Sequence, residues 1–528
     1  MSSRRRFLKQ MGLVAGAAAI MPRWVKASGD VFSARAGQPL TSPFLRPFVS
    51  DLPIPPVLQP LDPFSTNRDV PIGTQFHLMR IREAMHSFHP DLPATSVWGY
   101  VGERTDGNLM TPGPTLVTRV GVPTLVRFVN ELPANHRGFG VPNMTVHRHG
   151  GFQASEDDGY PLDHFGPGTS RDYFYPEIPE EDPRETQSTL WYHDHCIDFT
   201  GPNVYRGLAG FNVQRDDDDS GDETDPSPEA LRLPSGAYDI AMVFQDRVFD
   251  RDGQLVYDQL AHDGMLGDTF LVNGAVQPFL RVKRRKYRFR FLNGANARFF
   301  ELALSSGQPL VQVASEGGLL EFPLPRPSIL MGMAERVDVI VDFSNYPQGS
   351  ELYLLNRAEQ DDGRGPNRLG GPGTPLLKFI IDGPAEDASL VKPLLRHAFP
   401  PVTGPIVQRR LFEFSRSQGA WAINGNLWDP NRIVATPLLE DTEVWTLKNG
   451  GGGWWHPIYI HLSLFEILSH NGAPPAPWER CKKETFVLGP NDEVEILVHF
   501  RRFRGRYVFH CHNLEHEDMA MMARFDTI

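Results

Sequence analysis

A short pattern that recurs three times along this 528-residue chain limits the folds it can adopt. Residues 126–130, 289–293 and 445–449 each alternate apolar and polar side chains and end on an asparagine. The copies lie about 160 residues apart, a spacing that indicates repeated domains. Alternation with a period of two is typical of half-buried antiparallel strands. The 48 glycines and 47 prolines are more than usual and favour turns over long helices. We therefore predict an all-β chain of three related sandwich domains.

A run of acidic residues predicts the clearest boundary between these domains. Residues 216–225 are mostly Asp and Glu, and like-charge repulsion keeps such a segment extended and solvated. The segment 383–404 is a second boundary. The predicted organisation is a signal segment at 1–27, domains at 28–215, 236–382 and 405–528, and linkers at 216–235 and 383–404.

The amino terminus has the features of an export signal. Residues 3–9, which include Arg4 and Arg5, resemble the twin-arginine motif. The apolar run at 11–21 is too short for a bilayer core, which needs about 20 residues. Because residues 25–27 fit a cleavage site, we expect cleavage after Ala27. We also expect the twin-arginine machinery as a partner, and a mature periplasmic or secreted protein without stable membrane insertion. A basic amphipathic helix is the alternative interpretation.

Charge and cysteine content exclude two classes of protein. The formal net charge is −12, and it becomes −18 once the six cationic residues of the signal are removed. This acidic balance disfavours a nucleic-acid partner. Three cysteines are too few for a disulfide-dense scaffold. A disulfide between Cys196 and Cys481 is conceivable outside the cytoplasm, while buried free thiols are the commoner state of two distant cysteines.

Nine of the 18 histidines fall in four short clusters. Residues i and i+2 of a strand face the same side, so each His-x-His pattern directs two imidazoles to one place. In residues 510–512, the two histidines face one side and Cys511 faces the other, so one strand can serve two metal centres. The clustered histidines are His147, His149, His193, His195, His456, His461, His510, His512 and His516.

The cysteine side of this strand has the ligands of a blue copper site. Cys511, His516 and Met521 are spaced Cys-x4-His-x4-Met. A thiolate, imidazoles and a weak thioether together form the ligand set of such a site, and His456 is the candidate for the second imidazole. Zinc is the main rival, but structural zinc sites favour Cys-x2-Cys pairs, which the sequence lacks.

The four motifs, in this order, resemble those of the multicopper oxidases. The likeness is greatest to the three-domain branch of bacterial laccases, bilirubin oxidases and phenoxazinone synthases. It continues in residues 112–115 and 335–343 and covers the chain from about residue 70 onward. The resemblance implies cupredoxin-like Greek-key β-sandwiches, copper as the cofactor, and a small-molecule reductant and O2 as the reaction partners.

The resemblance also implies a role for each ligand. It assigns His456, Cys511, His516 and, as the axial ligand, Met521 to a type 1 copper. It assigns His149, His193, His195, His461, His510 and His512 to a type 3 copper pair. It assigns His147 to a type 2 copper. Electrons from the type 1 site would pass through Cys511 to the cluster of type 2 and type 3 coppers, which would reduce O2 to water.

One position departs from the family pattern. The third motif is His-Pro-x-His-x-His in the family, and here Tyr459 replaces its middle histidine. Tyr459 shares a strand face with His461, so it is expected to point toward the cluster. Three interpretations remain open. Tyr459 ligates as a phenolate, which needs a pKa far below the usual value of about 10; it stays protonated beside a copper held by His147 and solvent; or the type 2 copper is depleted or absent.

Two acids are candidates for catalytic roles, because reduction of O2 to water consumes protons. Glu517 follows a type 1 ligand, and Asp158 matches the other acidic position of the family near the cluster. Ordinary surface or turn acids are the alternative for both.

The resulting functional hypothesis is an exported oxidase of phenolic, aminophenolic or tetrapyrrole-like reductants. One alternative is a non-enzymatic cupredoxin protein that carries electrons, binds copper or serves the cell envelope. Another is a cuprous-ion oxidase, which lacks its usual methionine-rich insertion here. Loops over the type 1 site set the substrate, and the sequence does not identify it.

Overall fold

The computed structural model describes residues 41–62, 64–103, 110–180, 182, 188–399 and 404–528. The predicted signal segment at 1–27 and residues 400–403 of the second predicted linker lie outside this part of the chain. Strands dominate the described residues, which confirms the all-β prediction. None of their helices has the length and apolarity that a membrane crossing requires.

The first eight strands form two facing four-stranded sheets. They are β1 (Gln75–His86), β2 (Thr95–Gly102), β3 (Gly113–Arg119), β4 (Thr124–Asn130), β5 (Val146–His149), β6 (Ser170–Tyr175), β7 (Thr189–Asp194) and β8 (Ala209–Arg215). One sheet has the order β2-β1-β4-β6 and the other has the order β3-β8-β7-β5. Their shared core contains Trp98, Tyr100 and Phe128, all buried.

The next twelve strands form the second sandwich. They are β9 (Asp239–Arg247), β10 (Thr269–Val272), β11 (Ala275–Val276), β12 (Phe279–Arg284), β13 (Lys286–Asn293), β14 (Phe300–Leu304), β15 (Leu310–Ser315), β16 (Gly318–Arg326), β17 (Ile329–Met331), β18 (Arg336–Asp342), β19 (Glu351–Asn356) and β20 (Thr374–Pro384). The sheet orders are β11-β10-β9-β13-β18-β15-β16 and β12-β20-β19-β14-β17. Phe289, Phe291 and Phe379 lie in its core.

The last ten strands form the third sandwich. They are β21 (Ile406–Ser417), β22 (Ala420–Ile423), β23 (Ile433–Ala435), β24 (Thr442–Asn449), β25 (His456–Ile460), β26 (Phe465–His470), β27 (Thr485–Leu488), β28 (Glu493–His499), β29 (Gly505–Cys511) and β30 (Met522–Thr527). The sheet orders are β22-β21-β24-β28-β26 and β23-β30-β29-β25-β27. The described helices are α1 (Thr200–Tyr205), α2 (Leu514–Asp518) and 3-10 turns at Ser155–Asp157, Gly236–Tyr238 and Pro477–Glu479.

The asparagine that ends each repeated pattern has the same role in all three sandwiches. Asn130, Asn293 and Asn449 end β4, β13 and β24, and each of these strands runs parallel to the first strand of its own sandwich. In every case the side-chain Oδ1 accepts the backbone N–H two residues later, and Nδ2 donates to two backbone carbonyls. The repeat in the sequence therefore marks equivalent strand ends that need the same capping bonds.

The acidic segment after the first sandwich is less solvated than its composition predicts. Asp219 is 5% exposed, and its carboxylate lies 2.7 Å from the Arg288 guanidinium and 3.2 Å from that of Arg215. Asp217 keeps the predicted exposure, with 98% of its side chain accessible. Buried arginines of the neighbouring strands attract one carboxylate inward, which outweighs repulsion along the segment. The domain bounds themselves stay predictions.

Candidate metal centres

Two pairs of hydrogen-bonded strands, one from the first sandwich and one from the third, bring the four histidine clusters together. In the first pair, β5 and β7 place His147 opposite His193. In the second, β25 and β29 place Tyr459 opposite His510. All nine clustered histidines are at most 1% exposed. Both strand pairs therefore place their histidine clusters in the interior of the protein.

The cysteine face of β29 forms a compact three-donor site. The Cys511 Sγ atom lies 3.5 Å from Nδ1 of His456 and 3.5 Å from Nδ1 of His516, and these two nitrogens are 3.3 Å apart. Burial lowers the pKa of His456 to about 3, so its imidazole is neutral, as metal ligation requires. Burial raises the pKa of the Cys511 thiol, so a cation at this place is what would hold it as a thiolate.

Met521 belongs to the same site by backbone geometry. Its N–H donates to the His516 carbonyl at 3.0 Å, and its carbonyl accepts the Cys511 N–H at 3.1 Å. The side chain is fully buried in the core cluster that contains Cys511. The short helix α2 begins at an Asn513 cap and carries His516 back toward the strand. These bonds fix all three residues relative to each other.

On the opposite face, three imidazole nitrogens converge on one point. The Nε2 atoms of His195, His461 and His510 are 3.2–3.3 Å from one another. The Nδ1 atoms face carboxylates, since Asp158 lies 2.7 Å from His461, and Glu517 lies 3.3 Å from His195 and 3.0 Å from His510. With the protons held on Nδ1, three lone pairs meet on the other side. Such an arrangement fits a cation.

Three further imidazoles form a second group beside this one. Ring centroids of His149 and His512 are 5.0 Å apart, and those of His193 and His512 are 5.4 Å apart. Within the described residues, His149 Nδ1, His193 Nε2 and both nitrogens of His512 have no hydrogen-bond partner. Buried polar atoms without partners are costly, so these bare nitrogens mark a second place where a metal fits.

Comparisons with known proteins give the family of a chain that carries such a site. Family models described as multicopper oxidase match residues 95–219 and 400–528. A bilirubin oxidase from Albifimbria verrucaria is 36% identical over 527 residues, which cover 96% of this chain and 85% of that protein. The chain belongs to the multicopper oxidase family.

Further relatives agree with this assignment. A laccase from Bacillus subtilis (strain 168) is 31% identical and covers 91% of this chain and 98% of its own length. The crystal structure of a laccase from Pediococcus acidilactici Pa5930 superposes with a TM-score of 0.77 at 28% identity, covering 93% of this chain and 96% of that one. This multicopper oxidase is therefore a copper-dependent enzyme with O2 as its acceptor, built from three cupredoxin-like sandwiches.

The position that departs from the family pattern contacts its expected neighbours. Tyr459 Oη lies 2.9 Å from His147 Nε2 and accepts the Gly150 N–H at 3.1 Å. Its ring stacks on His149 with centroids 3.6 Å apart. Burial raises the pKa of Tyr459 well above its usual range, and the nearby Glu484 and Asp158 carboxylates add to this effect. These effects favour the protonated phenol over the phenolate.

The two predicted acids both lie beside the histidines, in different protonation states. Burial raises the pKa of Asp158 to about 8. Burial opposes ionisation of Glu517 too, but the facing His510 and His195 imidazoles outweigh it and hold its pKa well below the usual range. Thr200 Oγ1 also donates to Glu517 at 2.8 Å. One acid can therefore carry a proton at neutral pH while the other carries a charge.

Sequence reasoning missed a third buried acid in the multicopper oxidase site. Glu484 lies 2.9 Å from His149 Nε2 and forms an ion pair with Arg336. Burial raises its pKa to about 7. Glu484 immediately precedes β27, and only the pairing of Tyr459 with Thr485 brings it beside the histidines. No motif in the sequence marks it.

Trp454 lies two residues before His456 and packs beside the cysteine site, but the sequence did not indicate that Trp421, Arg416 and Arg364 also cover this site. The Trp421 ring is 4.0 Å from the His516 ring, and Trp454 is 4.7 Å from Trp421. The guanidinium of Arg416 lies 4.2 Å from the Trp421 ring, and that of Arg364 lies 5.2 Å from the Trp454 ring. The Arg364 side chain is 60% exposed and that of Arg416 is 43% exposed, so the arginines face solvent while both tryptophan rings are buried beneath them.

The two remaining cysteines are buried free thiols. Cys196 and Cys481 form no disulfide among the described residues, and neither does Cys511. The Cys481 thiol contacts Ser315 Oγ at 3.3 Å. The structure thus agrees with the commoner of the two states that the sequence left open.

Proposed function

We propose that this multicopper oxidase couples one-electron oxidation of phenolic, aminophenolic or tetrapyrrole-like reductants to reduction of O2 to water. Bound copper would supply the one-electron chemistry at the cysteine site and the oxygen chemistry at the histidine sites. The proposal depends on one observation above all. Cys511 ends β29 between His510 and His512, and the three consecutive side chains supply donors to sites on both faces.

The donor geometry supports an assignment of each ligand. We propose that His456, Cys511, His516 and Met521 would hold a type 1 copper. We assign His195, His461 and His510 to one copper of a type 3 pair, and His149, His193 and His512 to the other. The assignment follows the converging nitrogens of the first triad and the partnerless nitrogens of the second.

The acids have separate roles in this proposal. Glu517 stays ionised and orients the His195 and His510 rings, so that each Nε2 lone pair points into the site. Asp158 orients His461 and, with its pKa near neutrality, holds a proton that O2 reduction consumes. Gln153 donates to the other oxygen of this carboxyl group at 3.2 Å and fixes its orientation.

The tryptophans and arginines over the cysteine site support an aromatic reductant. The type 1 histidines are buried, so electrons enter through the rings of Trp421 and Trp454 that cover them. Both rings are buried, so a planar reductant stacks on the exposed guanidinium groups of Arg364 and Arg416 that lie over them, and the charge of Arg364 attracts a carboxylate or phenolate on it. Phenolic acids and carboxylated tetrapyrroles have both features.

Oxygen uptake by copper-loaded protein tests the proposed function. We expect a blue protein that consumes O2 in the presence of a phenolic reductant. A blue protein without oxygen uptake would contradict the enzymatic proposal and leave the metal sites standing. A colourless, copper-loaded protein would contradict the type 1 assignment.

A comparison of a charged reductant with its neutral ester tests the proposed role of Arg364 in binding the reductant. For Arg364→Gln we expect the KM of a phenolic acid to rise about two- to five-fold, the effect of one exposed charge pair. The KM of the neutral methyl ester should stay unchanged. Arg368→Gln is the matched control, because Arg368 is similarly exposed and pairs with Glu359 away from the tryptophans. Equal effects on acid and ester would exclude a charge-based role.

We also propose export by the twin-arginine route, with cleavage after Ala27. The support is the order of the basic motif, apolar run and cleavage site in residues 1–27. Replacing Arg4 and Arg5 together with lysine should leave the protein uncleaved in the cytoplasm. Mass measurement of the exported protein locates the cleavage site, and export of the double variant at the normal level would refute the route.

A further inference from the structure

The type 2 position is filled by a side chain that is packed and hydrogen-bonded on every side. The Tyr459 ring stacks on His149, and its centroid is 4.6 Å from that of His461 and 5.6 Å from that of His510. Tyr459 is 1% exposed. The phenol is therefore held in the middle of the imidazoles.

The hydroxyl of Tyr459 uses its bonding capacity within the protein. His147 Nδ1 lies 2.5 Å from the Asp158 carbonyl, which can only accept, so Nδ1 carries the imidazole proton. His147 Nε2 is then a lone pair, and the Tyr459 O–H donates to it at 2.9 Å. The same oxygen accepts the Gly150 N–H at 3.1 Å. The hydrogen bond from Tyr459 therefore occupies the one lone pair that His147 could offer to a metal.

His147 differs in this respect from the imidazoles around it. In the described part of the chain, His149 Nδ1, His193 Nε2 and both nitrogens of His512 lack any hydrogen-bond partner. The Nε2 atoms of His195, His461 and His510 face only one another. The fold therefore leaves imidazole nitrogens free to bind where two metals fit. At the third position, by contrast, the Nε2 atom of His147 already accepts a hydrogen bond from Tyr459. One hydrogen-bonded phenol and one hydrogen-bonded imidazole are a poor copper site.

We propose that this chain holds three copper ions and no type 2 copper, because the Tyr459 hydroxyl occupies the metal-facing nitrogen of His147. The inference rests on the proposed function for the type 1 and type 3 sites, and it removes His147 from the set of copper ligands. His147 instead positions Tyr459 against the ring of His149.

Copper content and EPR of the purified, copper-saturated, oxidised protein test the inference. A coupled type 3 pair gives no EPR signal, whereas type 1 and type 2 coppers each give one. We expect three coppers per chain, of which only one is detected by EPR, with the narrow hyperfine splitting of a type 1 site. Four coppers with a second, type 2 signal would overturn the inference.

Two substitutions sharpen the test. Tyr459→His replaces the phenol by an imidazole, so we expect a fourth copper and a new type 2 signal. Tyr459→Phe removes only the hydroxyl, and with a single imidazole left at the position we expect the copper count to stay at three. A folded Tyr459→His protein that still binds three coppers would overturn the inference. So would loss of a wild-type copper in Tyr459→Phe, because it would identify the phenol as a ligand.

Failure of this inference and failure of the proposed function give different results. A blue, oxygen-consuming protein with four coppers contradicts the inference alone. A protein without blue colour or oxygen uptake contradicts the proposed function, whatever its total copper. The wild-type measurement decides the inference even when Tyr459→His fails to fold.

Discussion

Replacement of Glu517 by glutamine tests whether this carboxylate orients the histidines of one copper site of the proposed type 3 pair. The carboxylate faces Nδ1 of His195 at 3.3 Å and Nδ1 of His510 at 3.0 Å, and it accepts from Thr200 Oγ1 at 2.8 Å. Glutamine has nearly the same shape, but it is neutral and has only one acceptor oxygen. Its amide N–H groups would face one imidazole N–H, so one of the two rings loses its partner.

The size of the effect follows from that lost contact. Both imidazoles lie at ion-pair distance from the carboxylate, and a polar contact to a charged group contributes about 1.5–3 kcal/mol. Because about 1.4 kcal/mol corresponds to a tenfold change, copper at the His195, His461 and His510 site should bind about 10- to 100-fold more weakly. The same range is typical when a partner of a metal-ligating histidine is removed.

Equilibrium dialysis against a graded chelator series measures this affinity, with the blue absorption recorded in parallel. We expect Glu517→Gln to lose copper from the type 3 pair at a lower chelator concentration than the wild-type protein does. The variant should stay blue, because Cys511 faces the other side of β29. Glu515→Gln is the matched control on the same helix. Glu515 accepts from Tyr257, Asn296 and the Met265 N–H, and no imidazole is among these donors. Unchanged copper retention in Glu517→Gln, or equal loss in both variants, would refute the reasoning.

Three further outcomes are expected. Cys511→Ser should abolish the blue colour and reductant-driven oxygen uptake while the coppers of the pair remain, as metal analysis and visible spectra will tell; persistent blue colour would exclude this thiol as the ligand. Asp338 is fully buried and lies within 2.7–3.0 Å of two buried guanidinium groups, so Asp338→Asn should lower the free energy of unfolding by about 3–5 kcal/mol in urea titrations. Asp217→Asn removes a charge from an exposed ion pair and should change the free energy of unfolding by under about 1 kcal/mol. Similar values for the two variants would contradict the argument. Finally, Cys196 and Cys481 should both be alkylated in unfolded protein without reductant, and a mass deficit of one pair of labels would indicate a disulfide.

Much of the site could be predicted from local sequence because strand geometry is local. Successive residues of a strand face opposite sides, so residues 510–512 alone separate a cysteine site from a histidine site. The same parity predicted that Tyr459 points toward the imidazoles, which its stacking on His149 confirms. The asparagine repeats likewise predicted three related sandwiches, because the strand ends they cap need the same bonds.

Other features depend on contacts between segments that are far apart in the chain. The sequence by itself determined the all-β class, the donor types and the direction in which each donor points. Only the tertiary structure decided which donors meet, because strand register and the packing of the first sandwich against the third set the distances. It therefore decided that Glu484 lies beside His149, that Trp421 covers His516, and that Asp219 is buried despite its acidic neighbours. It also decided the partner of the Tyr459 hydroxyl, because a hydrogen bond to His147 depends on a distance that residues more than 300 positions apart reach only after folding.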